Sequence, residues 1–383
     1  MRIALWHDLP PGGALRHLVA TTARSARTHD YTLFASGAAT DQPSDLTESV
    51  ARVIGDAPPT RDGRLARLVA LRRRHRALAA TIDHADFDLV VVHPSQVTQA
   101  PPLLASLRRT PSVYVAHETR RRTHERGYQP WIDPGGPLAR GARTVARQPL
   151  ELGLGAWDAR STRAATALVV NSVCTRDAMA QAYDRIGTVV HPGVDLDAFA
   201  LGTGPRRGVL SVGALDPTKG HDLVVDALGR LDPELRPEVT IVFERVDPVF
   251  RMRLEEQAQR CGVRLVLRHG LDEKELVDAY AGASVLVAAA TREPFGLTPL
   301  EAMATGTPVI ALDDGGYRET VRPGANGELV PREPGAMADA IRAFLGRGAV
   351  DPWSVRDTIV PYWTWDRAVD ELHEVFDRAA ASR

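Results

Sequence analysis

Two cysteines in 383 residues, Cys174 and Cys261, exclude a disulfide-stapled scaffold. They stand far apart and form no Cys-x-x-Cys pair, so a thiolate metal centre and a dithiol redox motif are excluded as well. Lysine is equally scarce: Lys219 and Lys274 are the only two. Aromatic residues make up 5% of the chain and do not interleave with the arginines. That argues against stacking platforms for nucleic acid. No apolar run approaches roughly 18 residues, so no membrane-spanning helix is expected. The opening stretch, "MRIALWHDLP", lacks the basic, apolar and small-residue segments of a secretory signal. The compartment expected on these grounds is a reducing cytoplasm.

What is present is the composition of a globular protein, with 44% hydrophobic and 25% charged residues, in a chain long enough for two domains. The net charge of -1 hides an asymmetry: 25 Arg stand against 18 Asp and Glu up to Asp195, and 22 Lys and Arg against 30 Asp and Glu after it. Oppositely charged halves point to two domains with different partners. Short apolar, β-branched runs alternate with helical patterns. The first half offers "RIALWH", "YTLFA", "DLVVVH", "SVYVAH", "ALVVNS" and "GTVVHPG"; the second restarts with "GVLSVGAL", "EVTIVFE", "VRLVLRHG", "SVLVAAAT", "PVIAL" and "GELVP". Continuous apolar runs of this length suit parallel strands covered on both faces. The fold class expected is therefore α/β, with two facing Rossmann-like domains and a cleft between them. The boundaries expected are 1–194 for the first domain and 195–362 for the second. An amphipathic helix over 363–380 packs back on the first. The segment Glu118–Gly155 reads as a long loop containing a helix.

Strand ends are where ligands sit in such sheets. "LSVGALDPTKGHDL" ends a strand near Gly213 and presents Lys219, a point charge suited to phosphate. "TREPFGLTPLE" supplies Glu293, the backbone of Phe295, Gly296 and Leu297, and a helix start read as a capping box with Thr298 as N-cap, Pro299 first and Glu301 reaching back. Free N–H groups there make an anion cradle, and Gly296 lets backbone approach a ligand. Carboxylates on either side suit sugar hydroxyls rather than phosphate. A nucleotide sugar has that shape, with Glu301 on the ribose and Glu293 on the hexose. Arg245, just past "VTIVFE", is expected at the same sheet end.

These motifs resemble the retaining glycosyltransferases of family 4, which have the GT-B fold. The likeness spans nearly the whole chain: "EPFGLTPLE" with "AMATGTPVIA", "VGALDPTKGHDLVVDAL", "VVNSVCTRDAM", "HPGVDLDAF", "PPGGALRH" and "YVAHE" stand in order at family-like spacing. The resemblance implies that Glu293 holds the transferred sugar, Glu301 the ribose and Lys219 the diphosphate. Phe295, Gly296 and Leu297 offer N–H groups. Gly12 and Gly13 let an N-terminal turn approach the donor, and His117 hydrogen-bonds the sugar or positions the acceptor. His93 reads as structural. One departure stands out: the family commonly has an arginine five residues before its lysine, where this chain has Ala214. Arg245 is the candidate substitute.

The implied reaction moves a hexose from a nucleotide diphosphate sugar to an acceptor with retained anomeric configuration. Protein cations and helix N-termini take the leaving-group charge. No metal and no cofactor are expected, because protein groups carry the charge and no Asp-x-Asp metal motif is seen to supply one. The acceptor ranges from a lipid-linked saccharide to a small metabolite. Arg120, Arg121 and Arg122 are candidate contacts to an acceptor anion, or decorate their loop. "RLARLVALRRRHRAL" clusters Arg72, Arg73, Arg74 and Arg76 on a helix, as a peripheral membrane contact or as a solvated face. Two other functions stay open: a nucleotide-sugar epimerase of the same fold, and an inactive sugar-nucleotide-binding relative.

Overall fold

A computed structural model describes residues 1–36, 42–56, 64–125, 137–347 and 350–382. The described chain divides into two compact units. The first draws on Met1–Arg126, Thr144–Pro192 and Trp365–Arg383; the second is built on Gly193–Thr364.

In the first unit, strands β1 (Arg2–Asp8), β2 (Asp30–Ser36), β3 (Arg52–Asp56), β4 (Leu89–Ser95), β5 (Ser112–Ala116), β6 (Ala167–Val170) and β7 (Thr188–Val189) form one parallel sheet in the order β3-β2-β1-β4-β5-β6-β7. Every residue of β4 and β5 is buried, as strands covered on both faces require. Six of these strands follow the apolar runs. The seventh, β3, does not stand out in the sequence: "RVIGD" is a five-residue edge strand with arginine, glycine and aspartate among its positions, and only pairing with β2 reveals it. The arginine-rich helix is longer than expected, Arg64–His84. The expected long loop holds a short helix, Arg121–His124, and a 28-residue helix, Pro137–Ala164.

The terminal helix spans Trp365–Ala380, two residues shorter at its start than expected. Trp365, Ala368, Val369, Leu372, Val375, Phe376 and Ala379 recur at helical spacing and are buried. Most of them join the core that Ile3, Leu5, Val91 and Val113 supply from the sheet. The chain's last helix is therefore part of its first sheet's packing, stabilising it by about 1.5–3 kcal/mol per large apolar side chain buried.

The 28-residue helix also places an acid inside this unit. Asp158 is fully buried, its Oδ1 accepts from the Ala100 N–H at 3.0 Å, and its Oδ2 has no hydrogen-bond partner among the described residues. Burial raises its pKa from 3.8 to about 7, with Arg120 pulling the other way. A folded pKa above the unfolded value means that the folded state holds the proton more tightly. Stability is therefore lost as pH rises from about 4 to about 7. Asp158→Asn is expected to gain on the order of 2 kcal/mol over wild type at pH 8 and far less at pH 4. Urea unfolding at the two pH values measures this; an equal difference at both would refute it.

In the second unit, β8 (Val209–Val212), β9 (Val239–Phe243), β10 (Leu265–His269), β11 (Val285–Ala288), β12 (Val309–Leu312) and β13 (Gly327–Val330) form a parallel sheet in the order β10-β9-β8-β11-β12-β13. All six correspond to runs read from the sequence. Strand order reverses between β8 and β11. A crevice at the carboxyl ends of those two strands is where doubly wound sheets bind ligands.

Candidate active site

The loops leaving β8 and β11 meet beside that reversal. After β8, Gly213 runs at φ 155, and the aliphatic stem of Lys219 lies against it: a Cβ built on Gly213 would sit 3.1 Å from Lys219 Cγ. Asp216 shapes the loop by capping the short 3-10 turn Pro217–Lys219, accepting from the Thr218 N–H at 2.8 Å. His221 then pins the loop from beneath. It is fully buried, contacts Ser211 Oγ through Nδ1 at 3.0 Å and the Ala214 carbonyl through Nε2 at 3.2 Å, and burial lowers its pKa to about 4.

Across the crevice, the loop after β11 carries Glu293. Its Oε2 accepts from Lys219 Nζ at 2.7 Å, with the two side chains 19% and 29% exposed. This pair joins the two residues that the sequence placed on a sugar and a phosphate. The loop is held by backbone contacts to the turn after β12. Gly316 N–H donates to the Glu293 carbonyl at 2.8 Å, and the Arg292 N–H donates to Asp314 Oδ2 at 2.8 Å. Arg292 adopts a left-handed φ of 51 there. Arg245 is exposed at the end of β9, and its carbonyl accepts from Leu215 in the Lys219 loop at 2.8 Å, so it shares this end of the sheet.

The helix after Glu293 corrects one expectation. It spans Leu297–Ala304 with Gly296, φ 90, as N-cap and no side-chain cap. Thr298 lies inside the helix, so the capping box does not form and Glu301 does not reach back to a Thr298 cap. Gly296 holds the start because a side chain there would strike the Tyr317 ring, 2.6 Å from an added Cβ. The first amides of this helix therefore lack a side-chain acceptor from the cap. Phe295 is buried against Trp363, with ring centroids 5.6 Å apart, so its side chain serves the core.

Glu301 is 4% exposed, and its Oε2 accepts from Tyr280 Oη at 2.6 Å. The sequence gives no sign of Tyr280, because "VDAYAGA" places a tyrosine on a helix without any mark of its partner. Tyr280→Phe is expected to cost about 1.5–3 kcal/mol, the range for a buried hydrogen bond to a charged acceptor. Denaturant unfolding measures it, and a loss under 0.5 kcal/mol, roughly the effect of a neutral surface change, would contradict it.

In the first unit, Gly12 (φ 147) caps the helix Gly13–Ser25 at the carboxyl end of β1 without a side-chain cap, and an added Cβ would meet nothing within 4 Å. His117 follows β5 and is 9% exposed, beside His17 and His93. Of the three loop arginines, Arg120 donates to Glu151 Oε2 at 2.8 Å and to the Val97 carbonyl at 2.9 Å. Arg121 pairs with Glu125 at 3.0 Å, and Arg122 is exposed. On the arginine-rich helix, Arg72 lies over the Trp157 ring at 5.8 Å, Arg74 is half-buried, and Arg73 and Arg76 are exposed. Two Asp-x-Asp pairs, not singled out from sequence, serve the backbone. Asp88 accepts from the Arg2 N–H at 2.8 Å, and Asp195 accepts from Asp197 and Ala198 at 3.1 Å.

The sequence matches two adjoining profiles: Glycosyltransferase Family 4 over residues 11–198 and Glycosyl transferases group 1 over residues 196–349. The chain belongs to the family 4 glycosyltransferases. Curated relatives named D-inositol 3-phosphate glycosyltransferase include one from Geodermatophilus obscurus, 36% identical over 233 residues, covering 54% of this chain and 52% of the relative. Another, from Xylanimonas cellulosilytica, is 34% identical over 223 residues, covering 52% and 53%. The chain spans about half the length of the curated relatives it matches. Among solved structures, sucrose-phosphate synthase from Thermosynechococcus elongatus aligns with a TM-score of 0.76 at 20% identity over 100% of both chains. Anabaena HepE, solved with UDP and glucose, gives 0.71 at 20% identity over 99% of this chain and 100% of its own. These likenesses are of fold: two parallel-sheet α/β domains of the GT-B glycosyltransferases.

Proposed function

We propose that this family member transfers a hexose from a nucleotide diphosphate sugar to a hydroxyl-bearing acceptor, with retention at the anomeric carbon and no metal at the diphosphate. The observation that carries the reading is the Lys219–Glu293 contact at the β8/β11 reversal, beside a helix start without a side-chain cap. An arriving diphosphate competes for the Lys219 ammonium. That releases Glu293 to accept hydroxyls from the sugar, while Glu301 accepts from the ribose. The helix amides at Leu297 and Thr298 and the Lys219 charge then stabilise the departing nucleoside diphosphate. In the transfer, the acceptor oxygen bonds to the anomeric carbon as the carbon–phosphate oxygen bond breaks. The hydroxyl proton passes to a leaving-group oxygen on the same face. Arg245 supplies the second positive charge that Ala214 does not; Arg245→Ala is expected to weaken donor binding about tenfold, and unchanged affinity by calorimetry would remove it from the site.

HepE, solved with UDP-glucose, makes a uridine sugar the first donor to test. The relatives' name makes inositol 3-phosphate the first acceptor. Incubation with a panel of nucleotide sugars, with and without acceptor, decides among the readings by mass spectrometry and by NMR of the anomeric coupling. Transfer or slow donor hydrolysis supports the proposal. An altered sugar still joined to its nucleotide indicates an epimerase, and tight binding without reaction an inactive relative.

A further inference from the structure

Three histidines converge where the first unit's sheet reverses, between β1 and β4; one of them, His117, is the residue that the resemblance places at the sugar or the acceptor, and the other two have no part in that reading. His17 comes from the helix Gly13–Ser25, His93 from β4, and His117 from the residue after β5. They are 2%, 2% and 9% exposed, and their ring centroids lie 5.1, 5.7 and 6.3 Å apart. One ring nitrogen from each lies within 4.8 Å of those of the other two. Nδ1 of His17, Nδ1 of His93 and Nε2 of His117 are buried with no hydrogen-bond partner among the described residues. Three orphaned buried nitrogens in one place are not explained by packing, because each unpaired polar atom costs stability.

We propose that His17, His93 and His117 together bind one borderline transition-metal ion of the Zn²⁺ or Co²⁺ class, with a fourth position open to water. The donor set selects that class: three imidazoles suit zinc and cobalt, whereas Mg²⁺ and Ca²⁺ require oxygen ligands. Imidazole must be neutral to coordinate, and the burial of all three rings favours the neutral form. Zinc–nitrogen bonds of about 2.0–2.1 Å place tetrahedral ligands roughly 3.3 Å apart, so the widest pair must close by about 1.5 Å. The site therefore requires the rings to rotate toward one another when the ion binds. The competing occupant is water. A cavity of about 20 Å³ lined by His17 and His93 adjoins the cluster, large enough for about one molecule. His117 is shared with the role the resemblance implies, but the metal-binding readout does not depend on transfer, since the ion can bind whether or not the protein is an active transferase.

The test uses tag-free full-length protein, stripped with a chelator and titrated with Co²⁺ under visible absorption, then with Zn²⁺. One equivalent should bind with the intense ligand-field bands of a four-coordinate site and be displaced by Zn²⁺. His17→Ala and His93→Gln should each weaken Co²⁺ binding at least roughly 100-fold, a ligand counting for more than a group that only orients one. The exposed His84→Ala should leave it unchanged. X-ray absorption on the zinc-loaded wild type decides without any variant: about three imidazole ligands support the site. Absence of saturable binding, binding that survives both cluster variants in folded protein, or a spectrum with fewer than two imidazoles would overturn it and leave water as the occupant.

Discussion

Lys219→Ala is expected to lower turnover of a nucleotide sugar roughly 10²–10³-fold, about 3–4 kcal/mol of lost transition-state stabilisation. The size follows from where the charge sits. Its stem is seated on Gly213, its loop is pinned by buried His221, and its ammonium is already at the β8/β11 reversal before any ligand arrives. A preplaced charge needs no reorganisation as the leaving group gains negative charge. The same substitution should barely change the melting temperature. The ion pair with Glu293 is 29% and 19% exposed at the side chains, and solvent-screened pairs contribute about 0–1 kcal/mol. That separation makes the experiment decisive: a kcat loss with an unchanged melting curve is electrostatic catalysis, not damage. Glu293→Ala should raise the donor KM through lost sugar contacts. Because the two groups touch at 2.7 Å, the double variant should lose less than the sum of the two singles. A drop in kcat under tenfold for Lys219→Ala would remove it from the reaction.

Much of this was legible in sequence because parallel strands announce themselves. Runs such as "DLVVVH" and "SVLVAAAT" have no polar alternation and only one place to go in an α/β protein. Among the described residues, twelve of the thirteen strands lie in those runs, and the exception, Arg52–Asp56, owes its conformation to its neighbour β2 rather than to its own residues. Local chemistry was legible only where its partner was also local. Lys219 and Glu293 each stood out by motif, but their contact at 2.7 Å depends on how two loops 74 residues apart are packed. The capping box failed for the same reason. Thr298 and Glu301 have the right spacing, yet the turn after β12 seats Tyr317 against Gly296 and starts the helix earlier. Tyr280 against Glu301, the buried Asp158 and the three-histidine cluster are likewise meetings of distant segments. His17 sits in a helix whose sequence gives no hint that β4 and β5 each bring another imidazole to it.

Gly220→Ala should be severely damaging to the second unit. Gly220 adopts φ 68, ψ 24, a left-handed conformation that costs a residue with a side chain about 1–2 kcal/mol. Steric contact costs more. An added Cβ would lie 2.1 Å from the Ala289 carbonyl oxygen and 2.8 Å from its carbon. Both sides of that clash are backbone and neither can yield cheaply. Ala289 directly follows β11 and is 1% exposed, while Gly220 is anchored by the helix His221–Gly229, whose first residue is fully buried. Relief requires parting the two loops that carry Lys219 and Glu293, so stability and donor binding should fall together. The expected loss is about 3 kcal/mol or more, a drop of roughly 6–12 °C in Tm for a unit of this size. Gly12→Ala provides the contrast: its φ is also unfavourable, but the Cβ enters open space, so the loss should stay near about 1 kcal/mol. Calorimetric melting of both variants, with UDP titrated into each below its transition, separates strain from contact. A Gly220→Ala protein that melts within about 2 °C of wild type and binds UDP as tightly would show that the two loops are free to separate, and that the close backbone approach is not what aligns the site.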